Sequence, residues 1–158
     1  MTLQKDVEVL RNIPLFKKIE PAKLKLLAFT SEHLEFIAGE ALFQEGDLGD
    51  AAYILLEGEA DIVVNTPSGS TVTVATLGKN DIVGEIAILC DVPRTATVVA
   101  RSRLVTLRVS KDGFFNLVTQ FPQVGVEIMH ELASRLHHTT QQLGSVTARL
   151  RQQENGPG

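Results

Sequence analysis

The chain has 158 residues with 15 Lys and Arg against 19 Asp and Glu, a net charge of −4. That length suits one domain with a real core and leaves little room for a second, and the mild acidity argues against an autonomous nucleic-acid binder, which carries a basic excess on one face. A single cysteine, Cys90, excludes a disulfide framework or Cys-cluster metal site within one chain, and no apolar run is long enough for a signal peptide or a membrane span, so a cytoplasmic protein is expected.

Residues 3–30 read as short helices. Val7, Leu10 and Ile13 fall at helical spacing, and Pro21, tolerated at a first helical position, opens a second helix through Leu24, Leu27 and Ala28. From His33 to about Val109 the texture changes to short apolar runs rich in Val, Ile and Thr. Examples are Ala51–Leu56, Ala60–Val64, Thr71–Leu77 and Leu104–Val109. Separated by Gly46-Asp47, Gly49-Asp50, Pro67-Ser68-Gly69 and Lys79-Asn80-Asp81, they predict a many-stranded antiparallel sheet. Ser110 can cap a short helix ending near Gln120, and Pro122 starts a long one reaching about Arg151. The expected fold is mostly β with flanking helices. A β-barrel or jelly roll (33–109) sits between N-terminal helices (1–32) and C-terminal helices (110–152), all in one domain over 1–152, with 153–158 as a tail.

In the long helix, Met129, Leu132, Leu136, Thr139, Leu143, Val146 and Leu150 alternate at three- and four-residue steps, a heptad seam. From Pro122 to Arg151 the helix would extend roughly 45 Å, more than one small domain can cover. A homodimer through residues 129–150 accounts for length and spacing together. The plainer reading is that the stripe packs on the barrel. Thr139 on the seam is costly unless something hydrogen-bonds it.

The chemistry concentrates between Asp81 and Val98. Gly84 permits close backbone approach, and Glu85–Leu89 can form one or two helical turns whose first N–H groups favour an anion. Beyond Pro93, Arg94 offers a planar fork of donors that matches phosphate oxygens, and Thr95 adds a hydroxyl. Ionised Glu85 only accepts, so it suits a sugar hydroxyl and repels phosphate. An acceptor for a diol and several donors for an anion describe a ribose-phosphate receptor. A structural Glu85–Arg94 ion pair is the other reading of the same residues.

The run Gly84-Glu85-Ile86-Ala87-Ile88-Leu89, with Pro93-Arg94-Thr95-Ala96-Thr97-Val98 beyond it, resembles the phosphate-binding cassette (here 83–97) of the cyclic nucleotide-binding domain family. The upstream run from Glu45-Gly46-Asp47 through Gly58-Glu59 is similar to that family's turn and strand pair, and the likeness extends from Ile13-Pro14-Leu15-Phe16 to the terminal helix. The resemblance implies that Glu85 accepts from the ribose 2′-hydroxyl. It implies that Arg94 pairs with the cyclic phosphate, helped by the Thr95 hydroxyl and the backbone N–H groups of Ala87 and Ala96. Gly84 would let its backbone lie against the sugar, Ile86 is counted among the ligand-binding residues, and Ile62, Val72 and Val74 would form an apolar wall around the base. Val83 and Ile82 stand where the family often carries aromatic residues.

The stretch from Arg135 to Gly144 resembles the dimer helix of the bacterial catabolite activator family, where a Thr-Ser pair meets the adenine amino group. Here the pair is Thr139-Thr140. The resemblance therefore implies cAMP over cGMP, with Thr139 reading the base in its own subunit and Thr140 reaching from the partner; Thr95 alone leaves the base open. That family continues into a DNA-binding helix-turn-helix, whereas this sequence stops at Gly158. The expectation is thus no direct DNA binding and an unknown effector protein addressed through the terminal helix. A fragment of a longer transcription regulator or channel, or a ligand-free dimerisation scaffold of the same fold, would read alike. No metal or cofactor beyond the nucleotide is expected, and no enzyme. Cys90 beside Asp91 lacks a base, and His137 and His138 point about 100° apart on a helix.

Overall fold

The computed structural model describes residues 3–154. Helix α1 (Leu3–Arg11), a 3-10 turn (Pro14–Phe16) and α2 (Pro21–Phe29) precede eight strands. Pro21 begins α2 directly after extended Glu20. The strands are β1 (Glu32–Phe36), β2 (Ala41–Phe43), β3 (Ala51–Glu57), β4 (Ala60–Asn65), β5 (Thr71–Leu77), β6 (Ile82–Val83), β7 (Thr97–Ala100) and β8 (Leu104–Ser110), with α3 (Glu85–Leu89) between β6 and β7. Two helices follow, α4 (Lys111–Gln120) and α5 (Pro122–Glu154). The strands form two four-stranded antiparallel sheets, ordered β1-β8-β3-β6 and β2-β7-β4-β5. The fold is the expected one, mostly β with flanking helices, and the sheets face each other as in a jelly roll.

The unbroken apolar run Ala51–Leu56 follows from its place in this arrangement. Strand β3 lies inside its sheet with both faces covered, so neither side is left for polar residues. Ala52, Ile54 and Leu56 face a core shared with α1, α2, α4 and the start of α5, including Phe16, Leu24, Phe114 and Ile128. Ala51, Tyr53 and Leu55 face the space between the sheets, against Leu42, Val98 and Leu104. The β3–β4 turn requires Gly58, which has φ +89° and where a Cβ would stand 2.1 Å from the Arg103 carbonyl oxygen.

Ser110 caps α4, its Oγ accepting from Gly113 N–H at 3.0 Å. Helix α5 starts at Pro122, and Val124, Ile128, Glu131, Leu132 and Arg135 pack back on the domain. From Leu136 to Gln153 every residue is exposed. The seam therefore divides. Leu132 packs on the chain's own core, while Met129, Leu136, Leu143, Val146 and Leu150 are 50–68% exposed. The helix runs three residues beyond Arg151 because Gln152, Gln153 and Glu154 are good helix formers. Of the expected tail, residues 155–158 lie outside the described residues.

Candidate functional site

The turn that follows β2 and the loop that follows α3 hold each other. Gly46 N–H donates to the Arg94 carbonyl at 2.8 Å, and Arg94 N–H donates to the Asp47 carbonyl at 2.7 Å. The two stretches that the sequence marks separately are thus one clamp on the backbone of Arg94. On the other side Gly84 ends β6 with φ +83°, the left-handed region glycine tolerates, and a Cβ there would stand 2.4 Å from Arg94 Nη1. The missing side chain makes room for the guanidinium.

That guanidinium is enclosed, with Arg94 only 7% exposed. Nη2 donates to the Ala51 carbonyl at 2.7 Å and Nη1 to the Gly84 carbonyl at 3.3 Å. Nε is buried without a hydrogen-bond partner. Among the described residues no carboxylate lies within 4 Å of it, so the ion-pair reading of Glu85 and Arg94 has no contact behind it. Burial pulls the Arg94 pKa below its ordinary value, opposed by the more distant carboxylates of Asp50 and Asp47. Arg94 is thus an enclosed cation with one orphan donor and, among the described residues, no counter-ion in contact.

Glu85, the first residue of α3, instead approaches α5: its Oε1 lies 3.9 Å from Arg135 Nη1. Arg135 Nε is also 3.9 Å from Glu131, and Glu131 reaches Lys17 at 3.8 Å. Glu85 therefore lies within ion-pair distance of the terminal helix. Past α3, Asp91 contacts Lys111 at the start of α4, a hydrogen bond that holds the Asp91 carboxyl below its ordinary value.

A cavity of ≈ 170 Å³ is lined by Gly84, Glu85, Ile86, Arg94, Thr95, Ala96 and Ile62, together with Phe43 and Val98. Sites that enclose a whole drug-sized ligand run to roughly 300–1,000 Å³, so this one has room for part of such a molecule. A profile described as the cyclic nucleotide-binding domain matches residues 33–121, more than half of the sequence. The chain belongs to the cyclic nucleotide-binding domain family.

This cyclic nucleotide-binding domain is similar to a CRP-like cAMP-activated global transcriptional regulator of Mycobacterium tuberculosis, at 25% identity over 88% of this chain and 62% of the regulator. It is 38% identical to a cAMP-dependent protein kinase regulatory subunit of Yarrowia lipolytica, over 72% of this chain and 28% of the subunit. The chain thus spans less than two thirds of these relatives. Among solved structures, the N-terminal domain of a transcriptional regulator from Streptomyces coelicolor superposes with a TM-score of 0.77 at 27% identity, covering 85% of this chain and 94% of that one.

Ala87 falls within α3. Of the other residues singled out in the sequence, not all meet in the cavity. Val72 and Val74 are 46% and 56% exposed on the edge strand β5 and do not line it. Thr139 and Thr140 sit on the exposed part of α5, and the Thr140 hydroxyl donates to the Leu136 carbonyl of its own helix at 2.9 Å. Conversely, the sequence assigned no role beside Glu85 and Arg94 to two residues found there. Arg135 reaches Glu85 across 50 positions of chain, and Phe43 places its ring 3.8 Å from the Arg94 guanidinium carbon. Among the described residues no group of His, Cys, Asp and Glu is arranged to hold a metal, and no helix is long and apolar enough to cross a membrane.

Proposed function

We propose that this chain is a sensor module that binds a cyclic nucleotide, cAMP in preference to cGMP, catalyses nothing, and passes the signal to an effector protein through α5. The observation that carries the reading is Arg94: enclosed, without a counter-ion, its Nε unpartnered, in the wall of a cavity it shares with an acceptor carboxylate. In this reading Arg94 takes the cyclic phosphate with help from Thr95 and the N–H groups of Ala87 and Ala96. Glu85 accepts from the ribose 2′-hydroxyl, and Gly84 and Ile86 lie against the sugar. The names of the bacterial and fungal relatives support cAMP. The cavity has room for the sugar and phosphate, so the base extends past Ile62 towards Val72, Val74 and α5.

There a second copy completes the site. The exposed Met129, Leu136, Leu143, Val146 and Leu150 form a dimer seam, which brings Thr139 of one chain and Thr140 of the other to the base. Glu85 gives the signal a route. A ribose hydroxyl on that carboxylate competes with Arg135, and releasing Arg135 alters how α5 is seated, a shift between two populations rather than a new contact made at a distance. The unpaired Cys90 suits a reducing cytoplasm.

The test is calorimetric titration with cAMP and with cGMP, beside Arg94→Ala. Removing one side of an enclosed charge pair costs about 2–5 kcal/mol, so affinity for the preferred nucleotide should fall at least thirty-fold. Thr139→Ala should reduce the preference for cAMP. A ligand-free scaffold is the second reading, favoured by one observation: both terminal nitrogens of Arg94 and the Glu85 carboxylate already have partners within the chain. No heat and no melting shift at millimolar nucleotide would establish the scaffold instead.

A further inference from the structure

We propose that Phe43 is a positioning residue for nucleotide binding, its ring face holding the Arg94 guanidinium in the attitude that meets the ligand's phosphate. The proposal rests on the cyclic-nucleotide reading above and adds a residue that determines how well the arginine is poised.

The geometry begins in the backbone. Strand β2 pairs with β7 as Ala41 opposite Val99 and Phe43 opposite Val98, so β2 advances two residues while β7 advances one. Such a bulge re-aims the side chains around it. In a regular strand Leu42 and Phe43 would face opposite ways. Here Leu42 is buried in the core between the sheets, and Phe43 packs against that same core while lining the ligand cavity. The ring is held in turn, its centroid 6.1 Å from that of Tyr53, which meets Phe36 edge-on at 6.2 Å. The chain of rings ends on Arg94, whose guanidinium carbon is 3.8 Å from the Phe43 centroid. The same ring approaches the space a Cβ at Gly84 would fill, 3.2 Å away.

The electrostatics require such a support. Arg94 is enclosed with no carboxylate beside it, and the negative face of an aromatic ring stabilises a desolvated cation without neutralising it. A carboxylate in that place would hold the arginine equally well and repel an incoming phosphate. The ring leaves the full positive charge available. Without it, an enclosed cation with one orphan donor turns outward to water in part of the population, and apparent affinity falls by the fraction that remains in place.

The test uses the intact chain with Phe43→Leu, Phe43→Tyr, and a series at position 43 in which phenylalanine carries one, two, three and five ring fluorines. Fluorination keeps the ring's shape and progressively removes the negative charge of its face. The expected results are a cAMP affinity up to roughly thirty-fold weaker for Phe43→Leu, the energy of a desolvated cation–π contact read as an equilibrium constant, rescue to within about three-fold by Phe43→Tyr on the same scale, and a stepwise loss along the fluorine series. A ring that merely fills space predicts equal affinity across the fluorine series, and that flat result overturns the proposal even if Phe43→Leu folds poorly. In the unliganded wild type the Arg94 Nε–H resonance should carry an upfield ring-current shift that disappears in Phe43→Leu; an unchanged resonance also overturns it. Wild-type protein that binds neither cAMP nor cGMP overturns both this proposal and the reading beneath it, whereas a binding wild type with a flat fluorine series overturns this one alone.

Discussion

Arg94→Met separates what the arginine does for the fold from what it does for a ligand. The variant keeps a long side chain and removes the charge. It gives up two charge-assisted hydrogen bonds, to the Ala51 and Gly84 carbonyls, of about 1.5–3 kcal/mol each, and a cation–π contact of about 2 kcal/mol. In exchange it removes an unsatisfied Nε that costs about 1–3 kcal/mol and the burial of an uncompensated cation, a further several kcal/mol. These nearly cancel, so the unliganded variant should lie within about 2 kcal/mol of wild type, and at about 2–4 °C per kcal/mol for a domain this size its melting point should move by less than about 8 °C. The ligand response should not cancel. At a hundred-fold excess over Kd, nucleotide stabilises a binder by about 2.7 kcal/mol, roughly 5–11 °C, and Arg94→Met should show none of this. Scanning calorimetry with and without cAMP reads both quantities on one sample. A variant that is stabilised by cAMP as much as wild type would refute the assignment of the phosphate to Arg94. Loss of more than about 5 kcal/mol without ligand would instead make Arg94 a structural keystone.

Three further outcomes follow from the same geometry. Gly84→Ala should cost about 1–2 kcal/mol for the left-handed backbone, measured by urea unfolding. Because the new Cβ meets Arg94 Nη1, it should also lose most nucleotide affinity. Arg135→Gln frees Glu85 from its partner on α5 and should tighten nucleotide binding, by at most about five-fold for so solvent-accessible a pair, in a calorimetric titration; unchanged or weaker binding would disconnect α5 from the ribose site. Leu136→Asp and Leu143→Asp should sediment as folded monomers, since neither residue packs on its own domain, and their melting points should lose the dependence on protein concentration that a dimer has; a wild type that is itself monomeric would remove the seam as an interface.

What was legible in the sequence is what local chemistry sets. The proline at the start of α2 and of α5, the Ser110 cap and the short helix after Gly84 each depend on a few adjacent residues, and each stands where the sequence places it. The longer strands β4, β5 and β8 announced themselves by Val, Ile and Thr, and β3 by its unbroken apolar run. Strands β2 and β6, three and two residues long, carry too little pattern to announce anything, and β1 alternates weakly because Glu32, His33 and Glu35 are all exposed. The polar residues of the cassette were readable as a donor and acceptor set. Their surroundings were not, because those are fixed by distant pairing. Phe43 reaches Arg94 through a bulge, and Glu85 meets Arg135 only once α5 folds back. Of the three residues expected to form an apolar wall, Ile62 lines the cavity, whereas Val72 and Val74 stand on the edge strand β5, exposed among the described residues.

The central claim is that the enclosed Arg94 receives the phosphate of a cyclic nucleotide. The most direct measurement is the Arg94 Nε–H resonance, assigned by its absence in Arg94→Lys and followed during titration of the intact chain with cAMP. Nucleotide binding at this site predicts that the signal moves downfield as its donor gains an acceptor, saturating at one nucleotide per chain. A signal that stays in place while cAMP saturates the protein, or throughout a titration to millimolar cAMP, would contradict it.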